Sequence, residues 1–361
     1  MSNDYYPDYD FDDLDMDDGR PEPSSLDEAL KALRAETETD VLPSAVVYRL
    51  SDLEGDDLAA FKATWFELPV EQRRRITNFL GELAEINYDL SFDSLAMVAF
   101  EDSDPEVRAI AIDLTWYDVS EATFYTLMKL ADDDIALVRA AAMSALGRFI
   151  YHGELGEFDQ ALAEKAKDLA LSRYQDVNED VDVRRRSLEA IAHSSHPYIA
   201  AMIEESYQGD EPMLRVSAVF AMGASYDNQW ENMVRDELDS DMSEMQFEAV
   251  RAAGELRLTH AVPRLIELAQ LDDYEIQIMA IWALGEIGTN EARRGLENLA
   301  EALDEVDEED ETLIVAVEEA LEMASLVTGM SLPMFDLDDD NDDIMSELFD
   351  VYDPDDPSLL N

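Results

Sequence analysis

The sequence predicts an all-α fold: an α-solenoid of tandem antiparallel helix pairs, running between disordered acidic termini. Three observations predict it. One pattern of apolar and small residues returns six times between residues 104 and 285, and four of the five spacings are 31 residues. Inside each copy the apolar and small positions fall at offsets of three and four, the period of one helix face. Hydrophobic residues make up 47% of the chain, enough for a sizeable core despite 86 Asp and Glu against 25 Lys and Arg.

Residues 1–24 read as an acidic tail, with eight Asp and no base up to Asp18. Repulsion among the acids and the scarcity of aliphatics oppose packing there. SLDEALKALR (25–34) has an amphipathic helical period and opens a body assigned to 25–335. PVEQRRRITNFLGEL (69–83) reads as an irregular first copy of the repeat, with Arg73 at its arginine position. The six regular copies place an apolar residue at Val107, Val138, Val183, Leu214, Met245 and Ile276, followed by Arg108, Arg139, Arg184, Arg215, Gln246 and Gln277. Three residues on stand Ala111, Ala142, Ser187, Ala218, Ala249 and Ala280, small enough to let a neighbouring helix approach closely.

A second helical segment precedes each copy, as in SFDSLAMVAFED (91–102), EATFYTLMKLAD (121–132) and HAVPRLIELAQLDD (260–273). Acidic turns join the two, so each unit is helix A, turn, helix B. One such unit cannot bury its apolar face alone; stacked neighbours can. Fourteen extra residues separate the copies at Val138 and Val183, and read as a lengthened connection or an extra turn of helix near 149–162. ETLIVAVEEALEMASL (311–326) reads as a degenerate last copy acting as the cap. Residues 336–361, with 11 acids and no base, form the second acidic tail.

The pattern Asp–(Pro)–x–Val–Arg–x–x–Ala–x–x–Ala–Leu–Gly, followed at 104–116, at 134–147 and with Gln for Arg at 273–285, resembles HEAT repeats. It is most similar to the short bacterial repeats of phycobilisome-lyase-like proteins, over about 41–327. The resemblance implies a HEAT-like superhelix serving as a binding scaffold. It implies no particular chemistry.

A formal charge of −61 argues against direct binding to nucleic acid or anionic lipid, which needs a basic footprint. No apolar run is long enough to span a bilayer, and no export signal is visible, so a cytoplasmic, monomeric protein is expected. The absence of cysteine excludes disulfides, thiol catalysis and cysteine-ligated metal. No nucleophile–base order and no phosphate-cradling glycine loop is present, and no cofactor is expected. None of His152, His193, His196 and His260 is followed by Glu, whereas HEAT-like metal hydroxylases are marked by His-Glu pairs. Asp336, Asp338, Asp340 and Glu347 fall at calcium-loop positions 1, 3, 5 and 12. Asn341 replaces the turn glycine, however, and Pro333 breaks any helix leading in, so the match reads as chance in an Asp-rich segment.

The arginine ladder reads as stacking hardware, with pairs Asp104/Arg108, Asp134/Arg139, Asp180/Arg184 and Glu211/Arg215. Residues four, five and nine after the arginine are expected to line the concave face. With their neighbours they give ten candidate partner-binding residues: Ile112, Trp116, Tyr117, Met143, Arg148, Arg185, Leu188, Phe220, Arg251 and Trp282. The alternative is that these side chains cover seams between helices. The tails interleave acids with Tyr5, Tyr6, Tyr9, Phe11, Phe335, Phe349 and Tyr352. They read either as recognition or gating segments or as solvated, salt-adapted composition. The function expected is a non-enzymatic scaffold for a protein partner, with an acidic chaperone or nucleic-acid mimic for a basic protein as one alternative and a lyase-like enzyme accessory as another.

Overall fold

The computed structural model describes residues 23–35, 42–87, 89–195, 198–304 and 311–330. The second acidic tail, the calcium-loop pattern and all of the first tail except residues 23 and 24 lie outside the described residues. Two compact units are present, the first ending at Ser225 and the second starting at Tyr226.

The first unit opens with α1 (Leu26–Arg34) and α2 (Ser44–Leu50). Five A/B pairs follow: α3 (Gly55–Trp65) with α4 (Val70–Ile86), α5 (Asp93–Ala99) with α6 (Pro105–Ile110), α7 (Glu121–Leu130) with α8 (Ala136–Leu155), α9 (Gln160–Gln175) with α10 (Val181–Ile191), and α11 (Ile199–Gln208) with α12 (Pro212–Ala224). The B helices stack in chain order, α4 on α6, α6 on α8, α8 on α10 and α10 on α12. The second unit holds α13 (Glu231–Glu237) with α14 (Ser243–Glu255), α15 (Val262–Leu268) with α16 (Tyr274–Ile287), and α17 (Asn290–Asp304) with α18 (Glu311–Met330). Here α14 stacks on α16 and α16 on α18. All regular structure among the described residues is helical, in tandem antiparallel pairs.

Local chemistry starts these helices where the sequence turns acidic. Ser25 and Glu28 form a capping box at α1, and Asp104 accepts from the Val107 amide with Pro105 in the first turn of α6. The 14 extra residues are taken up by helix: α8 runs to 20 residues and α9 to 16.

Counting the Arg or Gln of each B helix as position 0, the repeat is the same from copy to copy. Ala111, Ala142, Ser187 and Ala218 in the first unit, and Ala249 and Ala280 in the second, occupy position 3 and are all 0% exposed. Position 8 is glycine in several copies, because it meets position 6 of the next B helix. A Cβ on Gly147 would lie 3.1 Å from the Ala190 Cα, one on Gly254 2.9 Å from the Ala283 Cα, and one on Gly285 3.0 Å from the Ala320 Cα. This last contact sets the register of α18: Ala320 stands at position 6, so Leu313 takes position −1 and Val317 position 3, both buried.

The arginines are expected to bond an acid of their own turn or of the next repeat's turn, but their shared contact is a different one. Each position-0 side chain instead donates to a main-chain carbonyl at the C-terminal end of its own helix A. Arg108 reaches Asp102 O (2.8 Å), Arg139 Asp133 O (2.8 Å), Arg184 Tyr174 O (3.1 Å) and Arg215 Tyr207 O (3.1 Å). Gln246 and Gln277 do the same to Leu238 O (2.8 Å) and Ala269 O (3.1 Å). Helix ends leave carbonyls without partners, and a donor on the adjoining helix satisfies one of them. That explains why an uncharged amide can replace the guanidinium. Two arginines also clamp an acid farther along the chain: Arg108 holds Asp133 with two bonds (3.0 and 2.9 Å), and Arg139 holds Glu179 (3.3 and 2.6 Å). Arg184→Gln is therefore expected to change stability by under ~0.5 kcal/mol, and Arg184→Leu to cost about 1–2 kcal/mol by stranding the carbonyl. Urea unfolding of the two variants checks this.

Candidate functional site

The solvent-facing side of the B helices is set by their own geometry. A residue advances about 100° around a helix, so position 4 lies roughly 40° from position 0, on the core side. Positions 2, 5 and 9 cluster on the opposite side. Position 4 accordingly disappears into the core: Ile112, Met143 and Leu188, together with Val219, Val250 and Ile281, are buried. The expectation that Ile112, Met143 and Leu188 offer a surface to a partner is corrected on this ground. Ile112 only contributes to the floor of a recess.

The other seven candidates lie at or near the open face. In the first unit, Tyr117 is 64% exposed and its ring meets Trp116 edge-on, with centroids 4.1 Å apart. Trp116 is half-buried, held by a bond from its Nε1 to Ala84 O (3.0 Å). Arg148 crosses from α8 to the preceding repeat, donating to Asp118 O and to Thr115 Oγ1, both at 3.1 Å, and lies over the Phe149 ring. Burial lowers its guanidinium to about 10, against the opposing pull of Asp118, Asp93 and Asp113. Trp116, Arg148, Asp113, Ser144 and Arg186 surround an open recess of about 440 Å³ between the turn that follows α6 and the helices α8 and α10. Arg185 and Arg186 pair with Glu189, and Arg185 also with Asp182. Phe220, on α12, meets His193, which in turn meets Tyr151, at centroid distances of 6.5 and 5.4 Å. Trp116, Tyr117 and Arg148 thus form one group, and Phe220 belongs to an adjoining aromatic row.

Sequence reading passed over a second recess of about 550 Å³, on α4 and α6. Arg74, Arg75, Asn78, Phe79 and Ile110 are among its lining residues. Its signal was the RRR run of α4, of which only the first arginine is a repeat position. Arg74 holds Asp104 with two bonds (2.9 and 2.7 Å), and this pairing keeps the Asp104 carboxyl below its ordinary range.

Arg251 and Trp282 lie in the second unit. Arg251 is bonded to Glu248 (2.7 Å) and to Glu255. The Trp282 ring is seated on Gly254, where a Cβ would come within 2.7 Å of it. Glu255 is largely buried beside this ring, and its Oε2 has no hydrogen-bond partner. Burial, reinforced by Glu248 and Glu286 and opposed by Arg251, pushes its carboxyl up to about 7. Below pH 4.5 the group is protonated whether folded or unfolded. Between there and pH 7 the unfolded chain releases the proton first, so this group's contribution to stability falls as pH rises. Glu255→Gln is expected to match the wild type at pH 4 and to melt higher than it at pH 8, as thermal unfolding at the two pH values would show.

Among the described residues no group of three or more His, Asp or Glu is placed to hold a metal ion, and no helix is long and apolar enough to cross a membrane.

Residues 231–321 match the family model for HEAT repeats. That stretch of the second unit is built of HEAT repeats. No curated protein sequence matches the chain. Among solved structures, the chain is similar to the complex of CpcE and CpcF of phycocyanin lyase from Nostoc sp. PCC7120, at 18% identity and TM-score 0.39, over 64% of this chain and 94% of that one. Human deoxyhypusine hydroxylase is similar at 14% identity and TM-score 0.34, over 83% and 96%. Importin beta is similar at 14% identity and TM-score 0.41, over 85% of this chain and 46% of that one. At these values the likenesses assign neither a partner nor a chemistry.

Proposed function

We propose that this protein is a non-enzymatic scaffold that takes a segment of another protein on the exposed face of its B helices. The observation that supports this reading is the group on α8 and the turn that follows α6, where Trp116 and Arg148 line an open recess and Tyr117 stands against Trp116. Aromatic residues and arginine are the types that most often dominate protein interfaces. Tyr117 is 64% exposed, with its ring edge-on to Trp116. On this reading the body at 25–335 presents the face, and the acidic-aromatic tails at 1–24 and 336–361 act as recognition or gating segments.

A second reading is favoured by the charge of −61: an acidic chaperone or nucleic-acid mimic for a basic protein, drawn in by long-range attraction. An accessory role to a lyase has no observation of this chain in its favour and is set aside.

Affinity capture from native extract at low and high salt, with the full chain and with Tyr117→Ala/Ser144→Glu, tests the two. Both substitutions sit on exposed positions of the first unit. The scaffold reading expects a partner that survives high salt and is lost with the double variant. A basic partner lost at high salt and indifferent to the variant supports the second reading and rejects the first.

A further inference from the structure

The last helix of the second unit is apolar on two opposite sides. Leu313, Val317, Ala320 and Ala324 of α18 are buried against its neighbours α16 and α17. Val315, Met323 and Leu326 project from the other side and are 50%, 40% and 65% exposed. At about 100° per residue these three fall within an arc of roughly 80°, with Thr312 and Glu319 among them. A terminal repeat ordinarily turns a polar face outward, and three large apolar side chains on that face are a departure from it. As a cap, α18 is therefore incomplete.

We infer that residues 343–352 form an amphipathic helix that docks on this stripe and completes the last repeat. The sequence there is DIMSELFDVY. On a helix, Ile344, Met345, Leu348, Phe349, Val351 and Tyr352 occupy one side, and Asp343, Ser346, Glu347 and Asp350 the other, with no exception. Asp343 is a good N-cap residue, and Pro354 stops the helix just beyond Tyr352. The acids of the segment face away from α18, so its charge does not oppose the contact directly.

Reach is sufficient. The 20 residues of α18 measure about 30 Å. The 12 residues from 331 to 342 span up to about 40 Å when extended. The segment can therefore return antiparallel along the helix it follows, in the same A-then-B manner as every earlier pair. This assignment does not depend on what binds the B-helix face of the first unit. It gives the second acidic tail a structural task, and makes the α18 stripe a surface that a partner could reach only by displacing the chain's own segment.

The chain has no cysteine, so Glu318→Cys and Glu347→Cys supply the sole sites for a pair of spin labels on the full-length protein. One narrow distance component shorter than roughly 25 Å is expected, since packed helices lie about 8–10 Å apart. Adding Leu348→Asp and Phe349→Asp, both outside the described residues, is expected to abolish that component. A broad distribution in the starting protein would overturn the assignment, as would a narrow one indifferent to the two aspartates. Doubly labelled protein diluted with unlabelled protein separates the remaining case. If the narrow component vanishes on dilution and light scattering reports a dimer, a second copy covers the stripe and the assignment fails.

Discussion

Asp102→Ala is expected to lower the unfolding free energy of the first unit by about 3–5 kcal/mol, the usual cost of breaking a buried ion pair from one side. Asp102 lies in the turn between α5 and α6, its side chain wholly enclosed, with the Arg73 Nε 2.7 Å from its Oδ2. It also accepts from Arg73 Nη2 (3.0 Å), the Trp65 indole (3.0 Å) and the Asp104 amide (2.9 Å). Arg73 is itself the position-0 residue of α4, bonded to Leu68 O like its counterparts in later repeats. Removing the carboxylate leaves a guanidinium buried without a counter-charge and two other donors, the Trp65 indole and the Asp104 amide, without an acceptor. Arg73→Met combined with Asp102→Leu should recover a good part of the loss, because no charge then remains to be buried. Urea unfolding followed by tryptophan fluorescence, with Trp65 as a reporter in contact with Asp102, measures both. A midpoint for Asp102→Ala equal to that of the wild type would mean that the pair is solvated.

Glycine substitutions should give effects of opposite sign, according to whether the glycine faces another helix. Gly254→Ala puts a methyl group 2.9 Å from the Ala283 Cα and 2.7 Å from the Trp282 ring. The helices α14 and α16 must part, and overpacking of this kind costs about 1–3 kcal/mol. That outweighs the gain of at most about 1 kcal/mol in helix propensity. Gly81, inside α4, would have nothing within 4 Å of an added Cβ. Gly81→Ala is therefore expected to stabilise by about 0.5–1 kcal/mol. Thermal melts of the two variants check the signs. A gain at Gly254 would mean that the B helices of the second unit are not in close contact at position 8.

The repeat was legible because close packing restricts what a position can hold. Position 3 takes Ala or Ser in each of the six regular copies, and a spacing of 31 residues makes so narrow a choice visible. The degenerate last copy has Val317 at that position, and the Gly285–Ala320 contact supplies its register. The open face was misplaced by one residue for a physical reason. Position 4 carries Ile, Met, Leu or Val, which suits a core as well as a groove, and only the angle around the helix tells them apart. The arginines were given a packing role with acids of the adjoining turns, which Arg108 and Arg139 fill at Asp133 and Glu179 of the next turn, but the carbonyl acceptor common to all copies was missed, since a main-chain carbonyl leaves no mark in a sequence. The replacement of Arg by Gln at 246 and 277 was the available clue, because an amide cannot pair with an acid as a guanidinium does. The buried Asp102–Arg73 pair was illegible: in a run reading EDSDPE nothing distinguishes an enclosed aspartate from its solvated neighbours.

Hydroxyl-radical footprinting of the full chain tests the central claim most directly, because one experiment reads every helix. Positions 3, 4 and 7 of each regular B helix are assigned to a continuous interior within each unit, and the side chains of Tyr117 and Trp282 to a face left open for a partner. Met143 and Met222, at positions 4 and 7, should be the slowly oxidised methionines, both being 0% exposed. Tyr117 and Trp282, at positions 9 and 5, should be modified readily. Modification of Met143 and Met222 as fast as that of Trp282 would contradict the account.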